Sequence, residues 1–112
     1  MKVRDILQSS DFHLISNESG LDKETKGIFS SDLLSHVMGV AGEDNILITV
    51  LNNINVLGVA SLLDFSCVIF PHNVKVNESI IDKANELEIA LISTKLSTAK
   101  AVLRLYELGV QD

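Results

Sequence analysis

Residues 46–63, ILITVLNNINVLGVASLL, carry the clearest fold signal in this 112-residue chain. The stretch opens with aliphatic residues typical of a buried strand, passes through Asn52, Asn53 and Asn55, and ends in the apolar run VLGVASLL at 56–63. A buried strand, a polar turn and a buried helix in immediate succession form half of a β-α-β unit. In such units small ligands bind at the turn after the strand. The sequence therefore indicates where a site is expected, but it does not indicate what reaction, if any, takes place there.

The rest of the chain repeats this alternation of strand and helix patterns. Further strand candidates are residues 12–15, 28–29, 67–70 and 89–92, and helical patterns cover 3–7, 33–41, 77–87 and 97–109. A length of 112 residues predicts a single domain over residues 1–112. We expect an α/β fold, a three-layer α/β/α sandwich with a largely parallel sheet.

Local signals mark the ends of several elements. Ser30, Ser31 and Asp32 offer three N-cap candidates for the helix over 33–41. Asn77 is the candidate for the next helix, and either Ser97 or Thr98 for the last one. Gly109 stands where a left-handed glycine ends a helix. Residues 17–27 are polar and carry two glycines, which predicts a mobile loop.

The helix expected over residues 56–63 is apolar nearly all round. A helix of this kind must be buried on two sides. In a chain of this size, a second copy of the chain is a natural source of one of them. Because Gly58, Ala60 and Ser61 are small enough to permit close approach, we expect a homodimer that forms through this helix.

Composition excludes several functions. The net charge of −6 and the aromatic content of 4% argue against nucleic-acid binding, which needs cationic and stacking side chains. The longest apolar run is too short for a membrane span, and no apolar signal region precedes residues 8–11. Cys67 is the only cysteine, so no internal disulfide forms. These features fit a cytoplasmic protein.

Polar residues follow every strand candidate from residue 28 onward. The carboxyl ends of parallel strands share one edge of the sheet, beside helix N-termini that attract anions. A ligand-binding rim is therefore one interpretation, and ordinary helix caps and loops are the other. The candidate rim residues are Ser31, Asp32, Thr49, Asn52, Asn53, His72 and Thr94.

Signs of catalysis or of a bound cofactor are missing from the sequence. Cys67 lies among apolar neighbours and is interpreted as a core residue. The histidines are far apart, so we expect no metal site. Lys95 could hold a phosphate but is more typical of a solvated loop lysine, and no phosphate-loop motif occurs. We therefore expect a non-enzymatic protein without a cofactor; an apolar pocket holding Cys67 with a depressed pKa would reverse that interpretation.

Taken together, three segments resemble the DRTGG domain family. They are SDLLSHVM at residues 31–38, ILITVLNNINVLGVASLLDFSCVIF at 46–70 and IDKANELEIALISTKLSTAKAVLRLYELG at 81–109. The chain is most similar to short stand-alone members of anaerobic bacteria, sometimes encoded near hydrogenase-related genes. The Asp-Arg-Thr-Gly-Gly tract that names the family is absent, so no family binding residue is transferred to this chain.

The resemblance implies an α/β/α sandwich similar to the amino-terminal domain of HPr kinase/phosphorylase. Larger members carry the domain as a non-catalytic accessory, between paired CBS modules of pyrophosphatases that bind adenine nucleotides or beside phosphotransacetylase-like enzymes. The resemblance suggests a regulatory, ligand-sensing module, often dimeric, that binds a nucleotide or small phosphometabolite. The alternative is an interaction module that docks on a larger redox or hydrogenase-related enzyme and binds no small ligand.

Overall fold

The computed structural model describes the whole chain, Met1–Asp112, as one sheet between two layers of helices. A short 3-10 turn lies at Glu18–Gly20. The strands are β1 (Phe12–Leu14), β2 (Ile28–Ser30), β3 (Ile46–Ile48), β4 (Cys67–Phe70) and β5 (Ala90–Thr94). The helices are α1 (Val3–Ile6), α2 (Leu34–Val40), α3 (Ile54–Leu62), α4 (Glu78–Leu87) and α5 (Thr98–Leu108). The predicted three-layer α/β/α sandwich is confirmed.

The strand order, β1-β5-β4-β3-β2, explains how the helices divide between the layers. Strands β2 to β5 are parallel neighbours in chain order, and only β1 runs antiparallel, beside β5. Since β-α-β crossovers are right-handed, α2, α3 and α4 all fall on one face. Helices α1 and α5 contact each other on the opposite face. The largely parallel sheet is also confirmed.

Alternate residues of each strand supply two separate cores. In β4, Cys67 and Ile69 pack toward α1 and α5, whereas Val68 and Phe70 pack toward α2, α3 and α4. All four side chains are fully buried. A strand that is buried on both faces reads as a continuous apolar run, which is why CVIF indicates a strand from the sequence alone.

Helix α3 is buried on one side and open on the other. Val56, Leu57 and Ala60 are buried against the sheet and its neighbours. Ile54 and Leu62 are 50% and 71% exposed, and Gly58 lies between them on the same stripe. A single chain therefore covers only one of the two sides that the apolar sequence led us to expect. None of the helices combines the length and the apolar character that a membrane span requires.

Three local predictions need correction. Strand β3 ends at Ile48, before the expected end of its apolar run, because the N–H of Val50 bonds to a side chain and not to a neighbouring strand. The N-cap of α2 is Leu33, which makes no side-chain cap bond, so the predicted caps at residues 30–32 are wrong. Residues 17–27 are folded onto the core, where Gly20 and Leu21 are buried.

Candidate functional site

The four parallel strands place their carboxyl ends on one edge of the sheet, which we call the carboxyl edge. Four loops form it, residues 31–33, 49–53, 71–77 and 95–97, each leading from a strand toward the next helix. All the predicted rim residues lie in these loops or, for Thr94, at the end of β5. Hydrogen bonds join each loop to the next one.

The first two loops meet through a carboxylate. Oδ1 of Asp32 accepts a hydrogen bond from the Thr49 hydroxyl and another from the N–H of Val50, both at 2.9 Å. The Thr49 hydroxyl oxygen in turn accepts the N–H of Leu51 at 3.2 Å. Ser31 turns back on its own loop, where its hydroxyl oxygen accepts the N–H of Leu33 at 3.1 Å. Asp32 therefore fixes the turn after β3 and does not cap α2.

The two asparagines after β3 have different roles. Asn52 donates from its side-chain amide to the carbonyl oxygen of Lys75 at 2.7 Å, which joins the second loop to the third. Asn53 is the N-cap of α3, and its side-chain oxygen accepts the N–H of Asn55 at 3.0 Å. Asn53 thus caps its own helix, and Asn52 holds the third loop against the second.

The third and fourth loops are joined at His72. Its N–H donates to Leu96 O at 2.8 Å, and its Nε2 accepts the N–H of Thr98, the first residue of α5, at 3.3 Å. The N–H of Asn73 donates to Thr94 O at 2.9 Å. Both His72 and Asn73 have left-handed backbone angles, with φ of 58° and 55°. Most polar groups of the predicted rim are therefore engaged in holding the loops together.

Charge distinguishes the two edges of the sheet. The four carboxyl-edge loops contain one acidic residue, Asp32, and two lysines, Lys75 and Lys95, hence a net charge of +1. Since the whole chain carries −6, the remainder carries −7. The opposite edge contains Glu43, Asp44, Asp64 and Glu88 in the loops before β3, β4 and β5. The segment before β2, residues 21–27, adds two acids and two lysines, so this edge carries a net charge of −4.

Carboxylate oxygens of Glu43, Asp44 and Asp64 approach within 4.8 Å of one another at this acidic edge. Asp64 is also paired with Lys23 across 3.2 Å. Glu43 and Asp64 are exposed and Asp44 is half-buried, as acidic residues near a surface commonly are.

Three unpaired lysines at the carboxyl edge were not among the predicted rim residues. Lys75 and Lys95 are exposed and form no ion pair, and Lys100, in the first turn of α5, is also unpaired. Only Lys95 stood out in the sequence, because it directly follows a strand and two hydroxyl residues. The residues next to Lys75 and Lys100 in the sequence do not mark either lysine as part of a site. Their position on the same edge of the sheet depends on the strand order.

Two surface clefts are present. One, of about 200 Å³, lies on the carboxyl edge where β1 meets β5 and includes Thr94 and Lys95 in its lining. The other, of about 380 Å³, lies on the opposite edge beside Gly27 and Asp112. There the Tyr106 hydroxyl donates to Asp112 at 2.9 Å, a bond that raises the pKa of Tyr106.

Cys67 is fully enclosed in the sheet. Burial raises the pKa of its thiol to about 12, with a small opposing effect from the Ser66 hydroxyl. The thiol therefore stays protonated at neutral pH, and the low-pKa nucleophile that would support covalent catalysis is not formed here.

Comparison with known proteins agrees with this fold. The family model of the DRTGG domain matches residues 5–108. No curated protein matches the chain. A similar solved structure contains the CBS and DRTGG domains of the regulatory region of Clostridium perfringens pyrophosphatase, complexed with its activator diadenosine tetraphosphate. The two share 17% identity with a TM-score of 0.69, over 96% of this chain and 46% of the other, so this chain spans about half of that protein's length.

Proposed function

The chain belongs to the DRTGG domain family, and from this premise we propose that it is a regulatory module that senses a small anionic ligand. The ligand class is a nucleotide or a small phosphorylated metabolite, bound at the carboxyl edge of the sheet. The module has no catalytic role in this proposal. It acts through the conformation or the association state that the bound ligand favours.

The contrast in charge between the two edges carries the proposal. The net charge of −6 repels an anion overall, and this repulsion is weakest where cationic side chains outnumber acids. Lys75 and Lys95 supply that surplus, and neither is neutralised by an ion pair. The N-termini of α3, α4 and α5 open onto the same edge and favour anions.

The pyrophosphatase structure supports the same ligand class from a separate direction. Its region of CBS and DRTGG domains is regulatory and binds diadenosine tetraphosphate as an activator. That ligand is a nucleotide with several phosphates, and therefore has the charge that suits the carboxyl edge of this chain.

A second copy of the chain completes the proposed module. We propose that α3 is the dimer interface, since Ile54, Gly58 and Leu62 form an exposed stripe of apolar and small residues along the helix. An isologous contact between two such stripes would bury the side of α3 that a single chain leaves open. Helix α3 begins at the carboxyl edge, so ligand binding and dimerisation would be coupled through the turn at Asn52 and Asn53.

Isothermal titration calorimetry tests the ligand. We expect AMP, ADP, ATP or diadenosine tetraphosphate to bind the chain at low ionic strength, and Lys75→Ala and Lys95→Ala each to weaken binding about tenfold, as loss of a contact to a charged group implies. Lys26→Ala is the matched control, because Lys26 is an exposed, unpaired lysine on the opposite edge. Absence of binding by every nucleotide would overturn nucleotide sensing, and absence of binding by phosphorylated metabolites as well would overturn the whole ligand proposal.

Analytical ultracentrifugation tests the dimer. Leu62→Glu should produce a monomer at concentrations where the unmodified chain is a dimer. Leu103→Glu should remain dimeric, because Leu103 is 61% exposed on α5, on the other face of the sheet. A chain that is monomeric throughout the accessible concentration range would contradict the homodimer.

An interaction module without a small ligand is the second candidate function. The observation that favours it is the apolar surface of α2 and its N-cap, where Leu33, Met38 and Val40 are 63%, 51% and 62% exposed. Such a surface suits docking on a larger enzyme, for which we retain the redox or hydrogenase-related class. A monomer that binds no nucleotide, and that loses a partner from cell lysate when Met38→Glu is introduced, would favour this function over ligand sensing.

A further inference from the structure

A small cleft lies where the antiparallel strand β1 meets the carboxyl end of β5. Phe12 pairs with Thr94 and His13 with Ser93, so the loop before β1 arrives beside the loop after β5. The cleft has a volume of about 200 Å³. Its lining residues are Ser10, Asp11, His13, Thr94, Lys95 and Leu96.

Free hydrogen-bond donors dominate this lining. The side chains of Ser10, His13 and Lys95 are exposed, and none of them makes a hydrogen bond or an ion pair within the chain. Thr94 is 1% exposed, and its hydroxyl oxygen accepts the N–H of Leu96 at 3.2 Å, which leaves the hydroxyl hydrogen available to donate.

The single acid of the cleft is already engaged. The carboxylate of Asp11 forms an ion pair with Arg104 of α5 and also accepts a hydrogen bond from the Ser9 hydroxyl at 3.3 Å. Its charge is therefore offset by a guanidinium that reaches it from outside the cleft lining. The groups left for a ligand are an ammonium, an imidazole and two hydroxyls, which together suit an oxyanion.

We propose that this cleft is a subsite for one phosphoryl group. Lys95 supplies the positive charge, and Ser10, His13 and Thr94 donate hydrogen bonds to the phosphoryl oxygens. A cleft of about 200 Å³ is smaller than the roughly 300–1,000 Å³ of sites that enclose a whole small molecule, so it holds a group and not a nucleotide. This subsite rests on the proposed function, because the phosphoryl group belongs to the ligand proposed above. The rest of that ligand would extend along the carboxyl edge toward His72.

Inorganic phosphate is the probe that tests the subsite. We would titrate the ¹⁵N-labelled chain with sodium phosphate at constant ionic strength, with sodium chloride as the reference, and follow the backbone amide resonances. We expect shifts centred on Ser10, His13, Lys95 and Leu96. Lys95→Ala should weaken phosphate binding about tenfold or more, as expected for the loss of a charged contact.

A second lysine provides the matched control. Lys75 lies on the same edge but outside the cleft, so Lys75→Ala should leave phosphate binding unchanged while still weakening binding of a nucleotide. The affected side chains are exposed, and a preserved amide spectrum verifies that each variant is folded. Phosphate-induced shifts centred elsewhere, or equal phosphate binding by Lys95→Ala, would overturn the subsite.

The two proposals fail in different ways. Nucleotide binding at the edge without any phosphate response in the cleft would remove the subsite and leave ligand sensing in place. Phosphate binding in the cleft without binding of any nucleotide would retain an oxyanion site and remove nucleotide sensing.

Discussion

The hydroxyl of Thr49 donates a hydrogen bond to Oδ1 of Asp32 across 2.9 Å, although 17 positions separate the two residues in the chain. Thr49 is 1% exposed and has no other acceptor for its hydroxyl hydrogen, whereas Asp32 is at the surface. An exposed carboxylate thus satisfies a buried donor and shapes the turn at which the site was expected. The contact places Asp32 in the architecture of the carboxyl edge, independently of any ligand.

Replacement of Asp32 by alanine should destabilise the fold. The variant leaves the Thr49 hydroxyl and the Val50 N–H without their acceptor, which costs about 1–3 kcal/mol of unfolding free energy. Asp32→Asn keeps an acceptor oxygen and should cost less than Asp32→Ala. Urea unfolding measures both, and Asp82→Ala, at an exposed position of α4, should stay within about 0.5 kcal/mol of the unmodified chain. Equal stability of Asp32→Ala and Asp82→Ala would contradict this role of the carboxylate.

Gly20 should not tolerate alanine. A Cβ at this position would lie 2.7 Å from Glu88 O and 2.9 Å from Ala90 N, both backbone atoms that cannot rotate away. We expect Gly20→Ala to lower the unfolding free energy by about 1–3 kcal/mol, as overpacking does. Gly39→Ala is the control, because a Cβ there meets nothing within 4 Å. The midpoint temperature of thermal unfolding should therefore fall for Gly20→Ala and rise or stay unchanged for Gly39→Ala. Similar losses of stability in both variants would refute the steric explanation.

Gly58→Ala should stabilise the isolated chain. Gly58 lies inside α3, and a Cβ added to it would meet no atom within 4 Å, so alanine adds helix propensity without a clash. The expected gain is about 0.5–1 kcal/mol in unfolding free energy at concentrations low enough to keep the chain monomeric. If α3 packs closely against a second copy, the same variant should weaken the dimer, so the gain should shrink as protein concentration rises. A loss of stability at low concentration would show that the exposed side of α3 is not open in the monomer.

The buried thiol should make stability fall at alkaline pH. The unfolded thiol has a pKa near its ordinary value of 9.0, and burial raises the pKa of Cys67 to about 12 in the folded chain. Above pH 9 the unfolded state binds fewer protons than the folded state, so the unfolding free energy declines as pH rises. By about pH 10 the contribution lost is about 1.4 kcal/mol relative to neutral pH.

Comparison with Cys67→Ala isolates this effect from other groups that titrate in the same range. Urea unfolding of both proteins at about pH 7 and about pH 10 should show the stability of the unmodified chain falling by about 1.4 kcal/mol more than that of the variant. Parallel declines would mean that the thiol ionises equally in both states.

Elements whose signals are local were predicted well from the sequence. Asn77 and Ser97 are the N-caps of α4 and α5, and their side chains accept the N–H groups of Ile80 and Lys100. Gly109 ends α5 with φ of 117°. These residues act on backbone groups only a few positions away, so the chain itself brings the partners together.

The same reasoning was wrong at Asp32, which carries a good N-cap side chain directly before a helical pattern. In the folded chain its carboxylate accepts hydrogen bonds from the Thr49 hydroxyl and the Val50 N–H on the next loop, and not from the N–H groups at the start of α2. A competition between a local and a distant partner is decided by where the strands place the loops.

The layered α/β fold could be predicted from the sequence, because apolar periodicity and capping are properties of neighbouring residues. The turn at Asn52 and Asn53 could likewise be predicted to lie at the carboxyl edge of the sheet. Which polar groups at that edge are free depends on tertiary contacts. Hydrogen bonds between loops engage Asp32, Asn52 and His72, whereas Lys75 and Lys95 remain unpaired. Those pairings depend on the strand order, which brings together side chains that are distant in the sequence. Spatial distances between such side chains cannot be inferred from their separation along the chain.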